Sequence, residues 1–299
     1  MSEDKQADTS CASCGIAEID DVKLVPCDGC DLVRYCSDEC QNNHKSDHKE
    51  SCKKRAAELR DELLFKQPDS THLGDCPICM LPLPQGKSCT HLCCSKVVCI
   101  GCEYAHQKRQ YEQRLQLTCP FCREPVARTK EEQIEQLVKR VEANDPVAMR
   151  ELGIEKRKEG NYSIAFEYLK KAAVQGDADA HYRLSYMYYG GQSVEKDKGE
   201  QIYHAEEAAI GGHLGARLNL GCFEWNNNSN AERSVKHMII AATQGSDEAI
   251  KPLMNAYKDG LVDKEDLAAA LRAHKDAVDA TKSPQREEAE VYYRAMGFM

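Results

Sequence analysis

Two kinds of patterning divide the 299 residues. From residue 145 to about 290, apolar positions recur at helical spacing. Ala148 is followed four residues on by Leu152, and the pair returns as Ala180 and Leu184, Ala216 and Leu220, and Ala249 and Leu253. The periods are 32, 36 and 33 residues. A second anchor precedes the last three pairs: Ala173 with Gly176, Ala209 with Gly212, and Ala242 with Gly245. Repetition at this length predicts helical hairpins stacked into a solenoid. Small alanines let paired helices approach, and the three glycines predict left-handed helix ends. Turns are expected at Gly190-Gly191 and over Asn226–Asn230. Asp263 is the expected N-cap of a final helix that closes the stack. Tyr182, Tyr186, Tyr188 and Tyr189 read as a core stripe, with groove lining as the alternative. His204, His213 and His237 stand singly, which predicts surface or packing roles.

Just upstream, Ile134, Leu137, Val138 and Val141 form an apolar stripe, and Thr129 with Glu132 forms a capping box ahead of it. This predicts a connecting helix within 128–144 that docks on the first repeat. Residues 53–75 read as a short helix, apolar at Ala56, Leu59 and Leu63, followed by a linker broken at Pro68 and Gly74.

Residues 11 to 122 lack such periodicity, and cysteine takes its place. Sixteen of the 17 cysteines lie there, with Cys222 alone beyond. The first ten residues are polar and are expected to be disordered; they have no apolar segment of the kind a secretory signal needs. No run is long enough to span a membrane. A reducing compartment, cytoplasmic or nuclear, is therefore expected, and metal ligation rather than disulfide bridging. The formal net charge of -9 argues against a nucleic-acid partner. Local basic spots, including Cys52–Arg55 and Lys108-Arg109, read as solvated helix faces.

The cysteines come in pairs. Cys11 and Cys14, Cys27 and Cys30, Cys36 and Cys40, and His48 and Cys52 follow one another. Two pairs close one tetrahedral zinc site, so four pairs imply two ions. The last two pairs are spaced i, i+4, which on a helix points both ligands to one ion. The metal then replaces a hydrophobic core. His44 lies on the same stripe but reads as a surface histidine, because four ligands fill a structural site. A second series has Cys76 and Cys79, Cys99 and Cys102, and Cys119 and Cys122, with Cys89, His91, Cys93 and Cys94 between the first two pairs.

The spacing over 11–52, with YCSDECQ inside it, resembles a MYND-type zinc finger. The resemblance implies interleaved sites: Cys11, Cys14, Cys36 and Cys40 on one zinc, Cys27, Cys30, His48 and Cys52 on the other. MYND fingers mostly bind proline-containing peptides. Many carry a tryptophan three residues before the histidine ligand, where this chain has Lys45. Residues 76–122, through CPIC and CPFCR, resemble a RING-type finger. That implies Cys76, Cys79, Cys99 and Cys102 on a third zinc, and Cys119 and Cys122 on a fourth. The usual histidine of the second RING pair falls on Lys96, which cannot ligate. Cys93 with Cys94 is the preferred replacement, with Cys89 and His91 left open. RING fingers act as ubiquitin ligases without covalent catalysis, by holding a charged ubiquitin-conjugating enzyme. The matching contact positions are Ile78, Pro120 and Arg123. The repeats resemble Sel-one-like repeats, relatives of the tetratricopeptide repeat, whose concave face binds proteins.

The expected architecture is mostly α: two small cross-brace zinc modules at 11–52 and 76–127, then an α/α-hairpin solenoid over 145–290 and a short tail at 291–299. About four zinc ions per chain are expected. Two functions follow: a ubiquitin ligase whose finger and solenoid recruit partners, or a non-enzymatic adaptor. No catalytic side chains are expected in either case.

Overall fold

A computed structural model describes residues 10–19, 21–227 and 230–297. Apart from Ser10, the segment expected to be disordered lies outside the described residues, as do Asn228 and Ser229 of the expected asparagine turn. The chain forms two compact units, Met1–Lys66 and Gln67–Met299.

In the first unit two short antiparallel strands, β1 (Val25–Pro26) and β2 (Arg34–Tyr35), hold the loops against helix α1 (Asp38–Leu64). Its apolar core is small: Cys11, Leu24 and Tyr35. Ser37 caps α1 by accepting from the Cys40 N–H at 3.3 Å. α1 is one helix of 27 residues, so the short helix expected after the finger is the continuation of the ligand-bearing one. No proline or glycine separates Asp38 from Leu64, and nothing breaks the ladder. Its buried end residue is Leu64 rather than the expected Leu63, which is exposed.

The second unit opens with a linker and a zinc module. The module comprises an antiparallel hairpin, β3 (Ser88–His91) and β4 (Lys96–Cys99), and helix α2 (Ile100–Glu112). Helix α3 (Lys130–Glu142) follows, with the Thr129–Glu132 capping box formed. Leu137 of α3 is buried with Ala148 and Leu152 of the next helix, so α3 docks on the first repeat. The solenoid then runs through α4 (Pro146–Lys158), α5 (Tyr162–Val174), α6 (Ala178–Gly190), α7 (Lys198–Ile210), α8 (Leu214–Asn227), α9 (Ala231–Thr243), α10 (Asp247–Lys258) and α11 (Lys264–Ala280). The repeated alanines and leucines are its core: Ala148, Ala180, Ala216 and Ala249, with Leu184 and Leu253, are fully buried. Gly176, Gly212 and Gly245 adopt φ of 85°, 81° and 87°, and Asp263 caps α11 through the Asp266 N–H.

The chain end differs from expectation. Residues 284–290, expected in the solenoid, form one helix with much of the expected tail, α12 (Pro284–Ala295), and it packs on α2 of the zinc module rather than extending the stack. The Tyr104 ring of α2 lies against that of Tyr292, centroids 4.8 Å apart and planes tilted by 38°, and Lys87 and Lys108 pair with Glu290 and Glu288 at 2.8 Å each. The linker is also bound down. His72 donates its N–H to Gly212 O at 3.1 Å, and Gln244 donates to Ser70 O at 3.0 Å. A Cβ on Gly212 would meet Ser70 O at 2.7 Å, so this crossing needs glycine for space as well as for φ. Among the described residues no helix is long and apolar enough to cross a membrane.

Candidate metal centres and interaction surfaces

Sixteen ligand atoms gather into four groups, each with all its atoms within 4.8 Å of one another. The groups are Cys11, Cys14, Cys36 and Cys40; Cys27, Cys30, His48 and Cys52; Cys76, Cys79, Cys99 and Cys102; and Cys93, Cys94, Cys119 and Cys122. Both modules are interleaved, pairs one and three sharing one site and pairs two and four the other.

The separations fit zinc. With a Zn–S bond of about 2.3 Å, tetrahedral sulfurs stand about 3.8 Å apart. Cys27–Cys52, Cys79–Cys99 and Cys94–Cys119 are each 3.8 Å apart, and Cys36–Cys40 and Cys14–Cys36 are 3.6 and 3.5 Å. None approaches the ~2.05 Å of a disulfide, and all 17 cysteines are free. Four sites therefore have the donors and spacing for four zinc ions.

The knuckles also turn backbone N–H groups onto sulfur. Cys99 N donates to Cys76 Sγ at 3.5 Å, Cys102 N to Cys99 Sγ at 3.4 Å, and Phe121 N to Cys119 Sγ at 3.4 Å. Burial alone would raise the Cys76 thiol, but such N–H donors outweigh it and bring the pKa down to about 7. His48 offers Nε2 toward Cys30 Sγ at 3.1 Å, while its Nδ1 meets Ser51 Oγ at 3.0 Å. The Ser51 hydroxyl donates to His48 O at 2.9 Å, so its oxygen is free to accept from Nδ1–H. That leaves the Nε2 lone pair for metal. Burial, then the neighbouring His44, lower the His48 pKa and keep it neutral. His44 stands outside the group, its Nδ1 3.1 Å from Tyr35 Oη and its ring stacked on His48 at 5.7 Å.

Of the residues left open near the fourth site, Cys93 and Cys94 join it, while Cys89 and His91 do not. The half-buried Cys89 thiol is pushed up by burial and then by Glu103. His91 faces Glu103 at 2.9 Å. Lys96 sits over the Phe121 ring at 5.9 Å. Of the three conjugating-enzyme positions, Ile78 is 41% exposed and Arg123 is exposed, but Pro120 is buried. Arg123 donates to His106 Nδ1 at 3.1 Å.

Sequence reading did not find Arg286. It is 3% exposed, on α12, and donates to Pro82 O at 2.7 Å, Leu81 O at 3.1 Å and Cys79 Sγ at 3.3 Å. A Cβ on Gly101 would meet Arg286 Cγ at 2.8 Å, so glycine in α2 is what admits it. Burial lowers the guanidinium pKa, but the Cys79 and Cys99 sulfurs more than offset it and hold the charge. The spacing to its partners, about 205 residues, leaves no local signal.

Several grooves accompany these centres among the described residues, and three of them bear on binding. One of about 720 Å³ lies on the first finger beside Tyr35, Lys45, Lys49 and Cys52. Two lie on the solenoid: about 270 Å³ by Tyr186, Tyr189 and Asn219, and about 450 Å³ by Trp225, Met238 and Asn255. Cys222 and Asn226 line both, which makes them neighbours along one face. Asn219 donates to Tyr186 Oη at 2.9 Å. The tyrosine stripe is thus not simply core. Tyr186 and Tyr189 line the groove and are exposed, while Tyr182 stacks on His213 at 4.0 Å and Tyr188 on His204 at 5.6 Å. His213 and His237 are buried and His204 half-buried, all in packing positions.

Comparisons agree with part of this architecture. The MYND finger family model matches residues 11–52, and the Sel1 repeat model matches 146–177 and 178–213. Neither match reaches 76–122. Comparison with curated proteins gives no match. Among solved structures, a Sel1 repeat protein from Oxalobacter formigenes is 24% identical with a TM-score of 0.45, covering 58% of this chain and 51% of that one. A protective antigen of uropathogenic Escherichia coli displaying an SLR fold is 24% identical with a TM-score of 0.42, covering 58% and 39%. This chain thus spans about half or less of those two proteins. Residues 11–52 are a MYND finger, and residues 146–213 are two Sel1 repeats.

Proposed function

We propose that this protein is a zinc-built adaptor that recruits partner proteins on the groove of its MYND finger and on the tyrosine-lined face of its repeats. The observation that carries this reading is the solenoid groove. Exposed Tyr186, Tyr189 and Trp225 line that face together with the amides of Asn219, Asn226 and Asn255. Rigid aromatic rings beside amide donors and acceptors suit a peptide chain, because rings supply area at low entropic cost and amides satisfy the peptide backbone. The test is capture from a peptide library with the full chain. Tyr186→Ala with Trp225→Ala should weaken the selected peptides about tenfold or more. Undiminished capture, with zinc content unchanged, contradicts the groove assignment.

A second reading is that residues 76–122 also act as a RING-type ubiquitin ligase. The interleaved third and fourth sites, the hairpin, α2, and the exposed Ile78 and Arg123 support it. The buried Pro120 removes one contact of the three. Ubiquitin discharge from a panel of charged conjugating enzymes tests it. Under this reading discharge occurs and is abolished by Ile78→Ala and by Arg123→Ala. No discharge from zinc-loaded protein leaves the adaptor alone.

A further inference from the structure

The first finger's groove is lined by three lysines on one stripe of α1: Lys45, Lys49 and Lys53. Their spacing is i, i+4, i+8, which aligns them along one face of the helix. Like charges at this spacing oppose helix formation, so helix stability does not account for the stripe. Neutralisation within the finger is slight. Lys53 reaches Glu50 at 3.8 Å, and Lys45 and Lys49 have no acidic partner among the described residues. Arg55, on another face of the same helix, is answered by Asp31, Glu58 and Glu62. The cationic stripe is therefore a feature of the groove wall, not of the whole helix. Gln41, Asn42 and Ser46 add uncharged polar groups to the same wall. An aromatic platform of the kind that receives proline rings is missing at Lys45. The zinc group beneath, with three thiolates and one neutral imidazole on a divalent ion, has a charge of -1, which leaves the lysines in excess.

We infer that this groove takes an acidic peptide segment in extended conformation, with Asp or Glu carboxylates at alternate residues. The spacing argues for alternation. Successive lysines rise about 6 Å along the helix. Two residues of extended chain advance about 6.6 Å. One carboxylate can then meet each lysine while intervening side chains point away. The inference rests on the reading of the finger as a peptide-binding module and deepens it by naming the partner's chemistry.

The test uses zinc-loaded full-length protein and fluorescence anisotropy with labelled synthetic peptides. One peptide alternates Glu with Thr over nine residues. A second has the same composition with the Glu residues contiguous, a third is proline-rich and uncharged, and a single-stranded oligonucleotide is the fourth probe. The alternating peptide should bind tightest and lose affinity as salt rises. Lys45→Glu with Lys49→Glu should weaken it about tenfold or more. Lys45→Gln with Lys49→Gln should weaken it less, both variants keeping wild-type zinc content. Preference for the proline-rich peptide, insensitive to the lysines, overturns the acidic partner while leaving the peptide-binding finger intact. Binding of no peptide overturns both. Tighter binding of the oligonucleotide, or of the contiguous peptide, overturns the alternating carboxylate motif.

Discussion

His44 and His48 sit one turn apart on α1, and what each nitrogen faces separates their roles. His48 turns Nε2 into a group of three sulfurs and is braced by Ser51; His44 contacts Tyr35. His44→Ala should therefore leave the zinc content unchanged, whereas His48→Ala should lose one ion per chain by elemental analysis. His204 makes a different prediction. Its Nδ1 lies 2.9 Å from His181 Nδ1, with Glu200 on its own helix at 3.8 Å. Burial, then the His181 charge, lower its pKa to about 4, with Glu207 opposing weakly. A folded pKa below the unfolded ~6.5 means that the folded state disfavours the proton. The stabilisation is present above pH ~6.5 and is lost as pH falls toward 4. Wild type should lose up to about 2 kcal/mol more between pH 7 and 5 than His204→Asn, measured by urea unfolding. An equal loss contradicts the assignment. At this scale the ligands were legible because zinc fixes both residue type and spacing. Whether a lone histidine packs inside or lies outside is a tertiary matter, and no spacing encodes it.

Among the elements, α12 shows what spacing could not reveal. Its first half falls within the expected solenoid and the rest in the expected tail, yet Arg286 inserts against Cys79 and Gly101 of the zinc module. A cation beside a four-thiolate zinc site offsets part of the two negative charges in excess there. Outer-shell hydrogen bonds of this kind are worth about 10–100-fold in metal affinity. Arg286→Leu should thus lower zinc retention at the third site by that order in chelator competition, and should speed amide exchange over 284–295. Slower exchange or unchanged retention would leave Arg286 with packing alone. The repeat helices were legible from their alanines, leucines and glycines, since each repeat uses the same contact. α1 was only partly so: the ligand-bearing and linker halves read as separate because the composition changes at Cys52 while the helical ladder does not.

At the scale of the molecule, sixteen of the cysteine and histidine side chains stand in for two hydrophobic cores, and the alanine-rich repeats supply a third. Chelation should therefore unfold parts of the chain unequally. EDTA or a stronger chelator should abolish the structure of both zinc modules. Most of the circular-dichroism helicity of α4–α11 should remain, because Leu184, Leu253 and their neighbours need no metal. Complete loss of helicity would contradict that division. What remained illegible at this scale is the anchoring of linker and tail, since contacts between residues about 175 to 205 positions apart leave no periodicity.

Elemental zinc per chain tests the central claim most directly. Protein purified without chelators should hold about four ions. Replacing Cys93 and Cys94 together by alanine should reduce the count to three, and replacing Cys89 and His91 together should leave it at four. Three ions or fewer in the unaltered chain, or a loss on replacing Cys89 and His91 in place of Cys93 and Cys94, would contradict the account.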